Sequence, residues 1–365
     1  MCDYSLQGLP NRLAAEGEEL VTYRFSTGSI GLASPQDIQT SQLQRMAKIG
    51  RSWWSRLKNW FNPPVSSEIP AVCVPPGTSL IMSHIPERVR REFGLGLRED
   101  VTFAQLSAED KRRGVIVMSA GNLAQGVAYA ARQAGVRCWV SMLETASAAK
   151  IHAVRGYGAE VVLHGNRETW FDRVEQLRAQ SGAVLIDPWG DEALVAGYGS
   201  IGGEILEDLP DVEAVVVPVG GGTLISGIAT AIKLGRPTVR VIGVECTSGR
   251  LVHDSVAAGR PLQITRAPSI ADGLGSPRTS SLVVETVRRY VDDLVVVTED
   301  EIQGAMRGLL ERAKLLVEGA GAAAVAALLA GRTEWQSGRK VVAVLSGGNV
   351  DFARLQEVLR RDGSD

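Results

Sequence analysis

The chain has 365 residues, of which 45% are hydrophobic and 22% are charged, and its formal net charge is −2. This composition is that of a globular protein with a sizeable core, and the length favours two domains. The balanced charge excludes the general positive field that attracts nucleic acid or an anionic membrane surface.

Cysteine spacing and apolar runs exclude further classes. The four cysteines show no C-x-x-C spacing, so neither a zinc site nor a disulfide framework is predicted. No apolar run reaches the roughly 18 residues of a membrane span, and the first 20 residues lack the apolar core of a signal peptide. We therefore expect a cytoplasmic protein with reduced thiols and no membrane span.

Residues 1–105 are irregular apart from one helical pattern at 34–61. Apolar residues from Met46 to Trp60 recur at helical spacing with basic residues among them, and Pro63 follows the end of the pattern. A membrane-surface helix would have this composition. We favour a helix that docks on its own domain or on a partner, because basic amphipathic helices are common. A turn, a strand and a short helix are predicted after it, from about residue 74.

From about residue 106, β-branched runs alternate with helical patterns. The predicted strands are 114–119, 137–142, 160–165, 183–188, 214–219, 240–245, 293–298 and 340–346. The predicted helices are 122–134, 146–156, 168–180, 198–207, 223–234, 281–290, 299–313 and 320–330. Strands that are apolar on both faces and alternate with helices predict an α/β fold of parallel sheets flanked by helices.

Three loops that directly follow strands carry the candidate chemistry, because ligands of parallel sheets bind beyond the carboxyl ends of strands. Gly220, Gly221 and Gly222 let backbone amides approach an anion, and the helix that begins near Thr223 adds its partial positive end. Taken alone, this triplet is equally well explained as a tight turn between a strand and a helix.

The other two loops strengthen the interpretation as a binding site. Ser119, Gly121 and Asn122 stand between a strand and a helix, and their hydroxyl, backbone amide and side-chain amide groups suit a carboxylate or a phenolic oxygen. Ser346 ends the last strand and is followed by two glycines.

These loops, in this order, with "ETASAAKIHAVRGYGAEVVLHG" and "ADGLG" between them, resemble the pyridoxal-phosphate enzymes of the tryptophan-synthase-β fold type (fold type II). The threonine and serine dehydratase branch is the most similar, over about residues 106–352. The resemblance implies pyridoxal 5′-phosphate as the cofactor and a cofactor cleft between two domains.

The resemblance also implies roles for individual residues. The cofactor phosphate would be bound by the glycine loop, with a hydroxyl offered by Thr223. Asn122 would contact the oxygen on the pyridine ring, and Ser346 would contact the ring nitrogen. The substrate carboxylate would be held by Ser119, Gly121 and Asn122. A serine at the ring nitrogen leaves that nitrogen largely unprotonated, which suits β-elimination.

Three further positions refine these expectations. Relatives that racemise serine have a second serine where this chain has Ala120, so racemisation is not expected. Some relatives bind a divalent cation through two acidic residues six positions apart. The first matches Glu245, but the second position holds Leu251 in this chain, so no metal is predicted. Glu318 matches a glutamate near the cofactor in relatives, and it is equally well explained as a helix-start residue favoured by the helix dipole.

The family reaction needs a lysine that holds the cofactor as a Schiff base and moves the α-proton. In relatives it lies in a Ser-Phe-Lys stretch about two dozen residues before the first loop, and residues 1–105 contain no such stretch. We interpret Lys58, Lys111 and Lys150 as ordinary surface lysines. Lys111 is expected in a solvated turn, and by resemblance Lys150 matches a common but noncatalytic lysine of relatives. The catalytic residue is therefore unknown, and three explanations stay open. The chain is a fusion or frame-displaced product, or a noncatalytic descendant, or it uses a replacement lysine.

The sequence thus predicts an atypical N-terminal region at 1–105, a small α/β domain at 106–196 and a large cofactor-binding domain at 197–355. By resemblance, the function is dehydration and deamination of L-threonine or L-serine to a 2-oxo acid and ammonia. The alternative is a catalytically inactive relative that binds the cofactor or an amino acid. The expected partners are a small amino-acid substrate and further copies of the chain in a dimer or tetramer, as in relatives, and no nucleic acid.

Overall fold

A computed structural model describes residues 20–23, 71–74, 78–81, 106–166, 169–265, 267–334 and 340–360. The amphipathic helix predicted at 34–61 lies outside the described residues. The described N-terminal strands are β1 (Leu20–Tyr23), β2 (Ala71–Val74) and β3 (Thr78–Ile81). β2 and β3 form an antiparallel hairpin, so the strand predicted after the Pro-Gly turn has a partner strand before that turn.

The first parallel sheet contains four strands in the order β6-β5-β4-β7. Their bounds are β4 Val115–Met118, β5 Cys138–Leu143, β6 Glu160–His164 and β7 Val184–Ile186. The helices of this part are α1 Ala108–Arg113, α2 Asn122–Ala134, α3 Ala148–Gly156 and α4 Trp170–Ser181. β4 and β5 are buried along their whole length, as their continuous apolar sequences predict for strands covered on both faces.

The second parallel sheet contains five strands in the order β1-β11-β8-β9-β10. Its C-terminal strands are β8 Ala214–Pro218, β9 Arg240–Cys246, β10 Asp293–Val297 and β11 Val341–Val344. β1 pairs with β11 in parallel, and Leu20 lies opposite Val341. A segment of the atypical N-terminal region therefore completes the edge of the larger sheet.

Seven α-helices and one short 3-10 helix accompany the larger sheet. They are α5 Glu192–Asp208, α6 Thr223–Gly235, α7 Leu251–Ala258, the 3-10 helix Asp272–Leu274, α8 Ser281–Tyr290, α9 Glu299–Ala313, α10 Gly319–Leu329 and α11 Phe352–Arg360. The alanine-rich α10 is buried along almost its whole length, because its small side chains allow close packing beneath the sheet. The two parallel-sheet α/β domains flanked by helices confirm the predicted fold class.

Some predicted helices differ from those observed. The helix predicted to begin at residue 198 begins at Glu192, where the Asp191 side chain caps it by accepting bonds from the amides of Ala193 and Leu194. Lys111 lies in α1 rather than in a turn, although it is exposed as expected. α5 also crosses the boundary predicted between residues 196 and 197, so its start favours a division near Asp191.

The helices α5 and α6 approach closely because glycine faces the partner helix on both sides. A Cβ atom built at Gly202 would lie 2.7 Å from the Ile228 carbonyl oxygen. One built at Gly227 would lie 2.2 Å from the Val195 carbonyl oxygen. The contact is therefore made by backbone rather than by long side chains, and it fixes the two helices that bracket the glycine loop. None of the helices in the described part of the chain combines the length and apolar character that a membrane crossing requires.

Candidate active site

A cavity of about 340 Å³ lies at the carboxyl ends of β4, β8 and β11. This volume falls within the range of small-molecule sites, about 300–1,000 Å³. The residues that the three sequence motifs singled out all line it, namely Ser119, Gly121, Asn122, Gly220, Gly221, Gly222, Thr223 and Ser346. The structure therefore brings together, around one space, groups that are as far as 227 positions apart in the chain (346 − 119).

The glycine loop is shaped by neighbours that leave no room for side chains. A Cβ atom at Gly221 would lie 2.7 Å from Cδ1 of Trp189, and Gly222 has a φ of +96°, which other residues rarely adopt. Among the described residues, no group accepts a hydrogen bond from the amides of Gly220, Gly221 or Gly222. The loop thus presents unpaired donors at the wall of the cavity.

The helices α2 and α6 both begin at this cavity with a glycine N-cap. Gly121 caps α2 and Gly222 caps α6, and neither helix has a side chain that bonds to its first amides. Five other helices of the described part carry a cap from the side chain of their own N-cap residue, namely Ser107, Ser147, Asp191, Ser280 and Thr298. Because free amides and the helix dipole together favour anions, the two glycine-capped ends form a cradle for negatively charged groups.

A polar network fixes the Asn122 side chain. Its Nδ2 donates to Glu318 Oε1 at 2.5 Å, and its Oδ1 accepts from Asn349 Nδ2 at 2.8 Å. The Ser346 carbonyl oxygen lies 3.5 Å from the same Nδ2. A Cβ atom at Gly347 would overlap both Asn122 and Glu318, so the glycine after Ser346 makes room for this network.

The hydroxyl of Thr223, which the resemblance offered to the phosphate, donates to a backbone carbonyl in the structure. Its Oγ1 donates to the Pro188 carbonyl oxygen at 2.6 Å. A phosphate needs donors, and this hydroxyl has only one proton to give. Thr223 can therefore contribute its backbone amide at the start of α6, and its side chain ties that helix to the segment after β7.

The interpretation of Lys150 as a surface lysine is wrong. Only 1% of Lys150 is exposed, and its side chain lines the cavity. Its Nζ lies 2.9 Å from Asp272 Oδ2 and 3.3 Å from Glu318 Oε2. Burial acts to lower the pKa of Lys150, but the Glu318 and Asp272 carboxylates outweigh it and raise that pKa. The rule that charges are solvated fails here because two carboxylates replace water.

The Glu318 side chain points into the same network and does not cap its own helix. Glu318 is the N-cap residue of α10, yet its carboxylate bonds to none of the first amides of that helix. Burial raises the pKa of Glu318, and the nearby Lys150 and the Asn122 amide partly oppose that rise. A buried carboxylate with a raised pKa beside a lysine can exchange a proton with it.

Glu245 is bonded to backbone amides rather than to a metal site. Its two carboxylate oxygens accept from the amides of Val252 and His253 at 2.9 and 2.8 Å, and so they cap α7. In the described ranges, no group of three or more His, Cys, Asp or Glu side chains is placed to bind a metal ion. α7 was missing from the predicted helices because its cap comes from a strand rather than from the preceding residue.

Glu245 should make the stability of the protein depend on pH. Burial raises its pKa from the ordinary glutamate value of 4.5 to about 7, although the two amides act to lower it. Between these values the folded protein keeps a proton that the unfolded chain releases, so the free energy of unfolding falls as pH rises. We expect Glu245→Gln to flatten this slope in urea unfolding measured from pH 4.5 to 7. The exposed Glu357→Gln is the control, and equal slopes in wild type and Glu245→Gln would contradict the assignment.

Trp189 and Asp272 also line the cavity, and the sequence analysis assigned neither of them a role. Trp189 follows β7, and its Nε1 donates to Ser276 Oγ at 2.6 Å, which fixes the indole against the glycine loop. Asp272 belongs to the "ADGLG" segment, whose resemblance to the family was noted without a role for its acid. The "ADGLG" motif could have pointed to Asp272. Nothing in the sequence pointed to Trp189, because a tryptophan after a strand is not typical of any one kind of site.

Comparison with known proteins agrees with this geometry. A family model described as "Pyridoxal-phosphate dependent enzyme" matches residues 97–347. An L-threonine ammonia-lyase of Thermotoga maritima is 43% identical over 259 residues, which cover 71% of this chain and 64% of that protein. The L-threonine dehydratase catabolic TdcB of Escherichia coli K12 is 43% identical over 260 residues, 70% of this chain and 78% of that protein. This chain thus spans less than two thirds of the length of the Thermotoga relative.

A solved structure gives the same result. The processed form of threonine deaminase isoform 2 from Solanum lycopersicum aligns with a TM-score of 0.67 and 31% identity, covering 76% of this chain and 79% of the other. The fold and the cavity define a two-sheet α/β protein whose strand ends are lined by groups suited to an anionic ligand. The chain belongs to the pyridoxal-phosphate dependent enzyme family, in the threonine and serine dehydratase branch of fold type II. The resemblance inferred from the three loops is confirmed.

The residues present fit the cofactor of this family. A phosphate needs several donors that are not already paired, and the glycine loop and the start of α6 supply them. Side chains on the loop glycines would reach Trp189 and Val283, so the loop can hold its shape only as glycine. Glu318 Oε2 is buried without a hydrogen-bond partner among the described groups, although Lys150 lies at ion-pair distance.

Proposed function

We propose that this protein removes the β-hydroxyl of L-threonine or L-serine and releases a 2-oxo acid and ammonia. The proposal rests on three loops, each at the end of a strand, that line one cavity. Similar proteins are named L-threonine ammonia-lyase and L-threonine dehydratase. Pyridoxal phosphate, when bound, supplies an electron-accepting ring that stabilises negative charge on the α-carbon of the substrate.

The glycine loop and α6 would hold the phosphate of the cofactor. The amides of Gly220, Gly221, Gly222 and Thr223 are the donors for it. Asn122 would bind the oxygen on the ring, with its amide already oriented by Glu318 and Asn349. Ser346 would hold the ring nitrogen and, being neutral, would leave it largely unprotonated.

The start of α2 would bind the substrate carboxylate. The Ser119 Oγ accepts from the Gly121 amide at 3.2 Å, so its own proton remains available to a ligand. The first amides of α2 lack a side-chain cap, and the helix end favours a negative group there. The substrate α-carbon would then lie between this carboxylate site and the polar network of Asn122, Glu318 and Lys150.

The direct test is product formation by the purified full chain with added pyridoxal phosphate. L-threonine should yield 2-oxobutanoate and ammonia in equal amounts, measured separately. L-allothreonine and D-serine serve as comparison substrates, and a chain that loses no hydroxyl from either L-amino acid would contradict the proposal.

The positions of the cofactor ring predict spectral changes. Asn122→Ala removes the ring-oxygen contact and Ser346→Ala removes the ring-nitrogen contact, so both should shift the absorption maximum of the bound cofactor. Ser181→Ala, whose hydroxyl donates to the Leu177 carbonyl in α4, is the control and should leave the spectrum unchanged. If the spectra of Asn122→Ala and Ser346→Ala match wild type, the cofactor lies elsewhere.

A second candidate function is noncatalytic binding of the cofactor or an amino acid in the same cavity. The sequence favours it in one respect, because residues 1–105 contain no Ser-Phe-Lys stretch. The two candidates differ in product formation: a binding protein would show the cofactor spectrum and release no ammonia.

We further propose that the protein acts in the cytoplasm as a homo-oligomer with a small amino-acid substrate. The buried free thiols of Cys138 and Cys246 support a reducing compartment. Light scattering of the purified chain tests the oligomer, and a monomer at micromolar concentration would contradict it.

A further inference from the structure

Residues 276–280, with the sequence "SPRTS", connect the 3-10 helix to α8 and lie beside the glycine loop. The Ser276 Oγ accepts from Trp189 Nε1 at 2.6 Å, and the Ser280 Oγ donates to the Trp189 carbonyl oxygen at 2.6 Å. Trp189 in turn packs on Gly221. These five residues, which we call the hydroxyl strap, therefore fix the side chain that borders the loop.

Thr279 is the residue of the hydroxyl strap that bonds to the loop itself. Its Oγ1 donates to the Gly221 carbonyl oxygen at 2.8 Å, and Thr279 is 7% exposed, so water competes little for this bond. The Gly221 carbonyl lies outside the backbone ladder of α6. That ladder begins one residue later, where the Gly222 carbonyl oxygen accepts from the Ser226 amide at 3.0 Å.

The bond to Thr279 sets the direction of the next amide. The Gly221 carbonyl and the Gly222 N–H belong to one peptide group, which is planar and trans, so they point in opposite directions. Gly222 lines the cavity, whereas Thr279 lies behind the loop and does not line it. With the carbonyl oxygen fixed on Thr279, the Gly222 N–H is directed to the other side, toward the cavity.

The two glycines themselves do little to fix this peptide group. Gly221 and Gly222 have no side chains, so the backbone on either side of the peptide can adopt conformations that other residues avoid. Turned over, the peptide would present its carbonyl oxygen to the cavity, and that oxygen would repel an anion. The Thr279 hydroxyl opposes this rotation. It also polarises the peptide, because a carbonyl that accepts a hydrogen bond makes the amide of the same group a stronger donor.

We propose that Thr279 is a positioning residue for the cofactor phosphate, because its hydroxyl turns the Gly222 amide toward that phosphate. This inference rests on the proposed function. Thr279 does not touch the phosphate and acts through the Gly221 carbonyl. Loss of its hydroxyl therefore weakens the binding of any ligand that places a phosphate in the loop.

Binding to the full chain in HEPES buffer tests the role of the hydroxyl. Thr279→Val keeps the shape of the side chain and removes its donor. We expect it to lose about tenfold in affinity for pyridoxal phosphate and for inorganic phosphate, measured by equilibrium dialysis and calorimetry. Thr279→Ser keeps the hydroxyl and should bind both within about twofold of wild type. The phosphorus NMR resonance of bound pyridoxal phosphate should move in Thr279→Val and return to its wild-type position in Thr279→Ser.

Thr286→Val is the matched control for this experiment. Thr286 is also buried, and its hydroxyl donates to the Leu282 carbonyl oxygen at 2.6 Å within α8, so its loss should not change phosphate affinity. Where the valine variant does not fold, Thr279→Ala removes the same hydroxyl without a second methyl group. Wild-type affinity in the variant without the hydroxyl, an equal loss in Thr286→Val, or an equal loss in Thr279→Ser overturns the role of Thr279. A wild-type chain that binds neither pyridoxal phosphate nor inorganic phosphate overturns the proposed function itself.

Discussion

Replacing Gly202 by alanine is expected to lower the free energy of unfolding by about 1–3 kcal/mol, because it overpacks the contact between α5 and α6. The new methyl group would lie 2.7 Å from the Ile228 carbonyl oxygen and 2.9 Å from Cβ of Ala231. The backbone of α6 cannot move away without opening the core around Ile228, which is fully buried. Urea unfolding monitored by circular dichroism measures the change.

The neighbouring glycine is a matched control for this prediction. A Cβ atom at Gly203 would meet no atom within 4 Å. Gly203→Ala is therefore expected to stabilise the protein by about 0.5–1 kcal/mol through helix propensity alone. The two substitutions add the same methyl group to adjacent positions of one helix. Effects of the same sign at both would contradict the close contact between α5 and α6.

Replacing Gly221 by alanine is expected to weaken pyridoxal phosphate binding by tenfold or more, about 1.4 kcal/mol or more. The added Cβ would lie 2.7 Å from Trp189 Cδ1 and 3.1 Å from Ser276 Oγ. These two side chains are hydrogen-bonded to each other, so the loop backbone must shift instead of the indole. Its amides would then no longer converge on one phosphate. Equilibrium dialysis measures the loss.

Gly304→Ala in α9 is the control for this loss. A Cβ atom there would meet no atom within 4 Å. We expect its affinity for the cofactor to equal that of wild type. If Gly221→Ala also binds the cofactor as wild type does while remaining folded, the phosphate is not held by this loop.

Much of the fold could be predicted because its signals are local. The strands at Val115–Met118 and Ala214–Pro218 are short apolar runs bounded by glycine or polar residues, and the pattern needs no distant partner. The three loops after strands could be assigned to one cavity because parallel sheets place ligands at the carboxyl ends of their strands. The helix α7 could not be predicted from its own residues. Its first amides bond to the Glu245 side chain, which lies in β9 rather than at the start of the helix.

The burial of Lys150 could not be predicted from its surroundings in the sequence. It follows "ETASAA" in the first turn of α3, and none of the residues next to it carries an opposite charge. Its two partners, Asp272 and Glu318, lie 122 and 168 positions further along the chain (272 − 150 and 318 − 150). Only the packing of α3 against the loops of the larger sheet brings them together. The hydrogen bond of the Thr223 hydroxyl could not be predicted for the same reason, since its acceptor Pro188 belongs to a different segment.

The glycine N-caps of α2 and α6 have a practical consequence for handling the protein. A helix without a side-chain cap gains stability from any anion that reaches its first amides. A ligand that binds only the folded state raises apparent stability with the logarithm of its concentration relative to its Kd. Phosphate or sulfate in a buffer should therefore raise the melting temperature and compete with the cofactor. Affinities measured in Tris or HEPES would then exceed those measured in phosphate buffer.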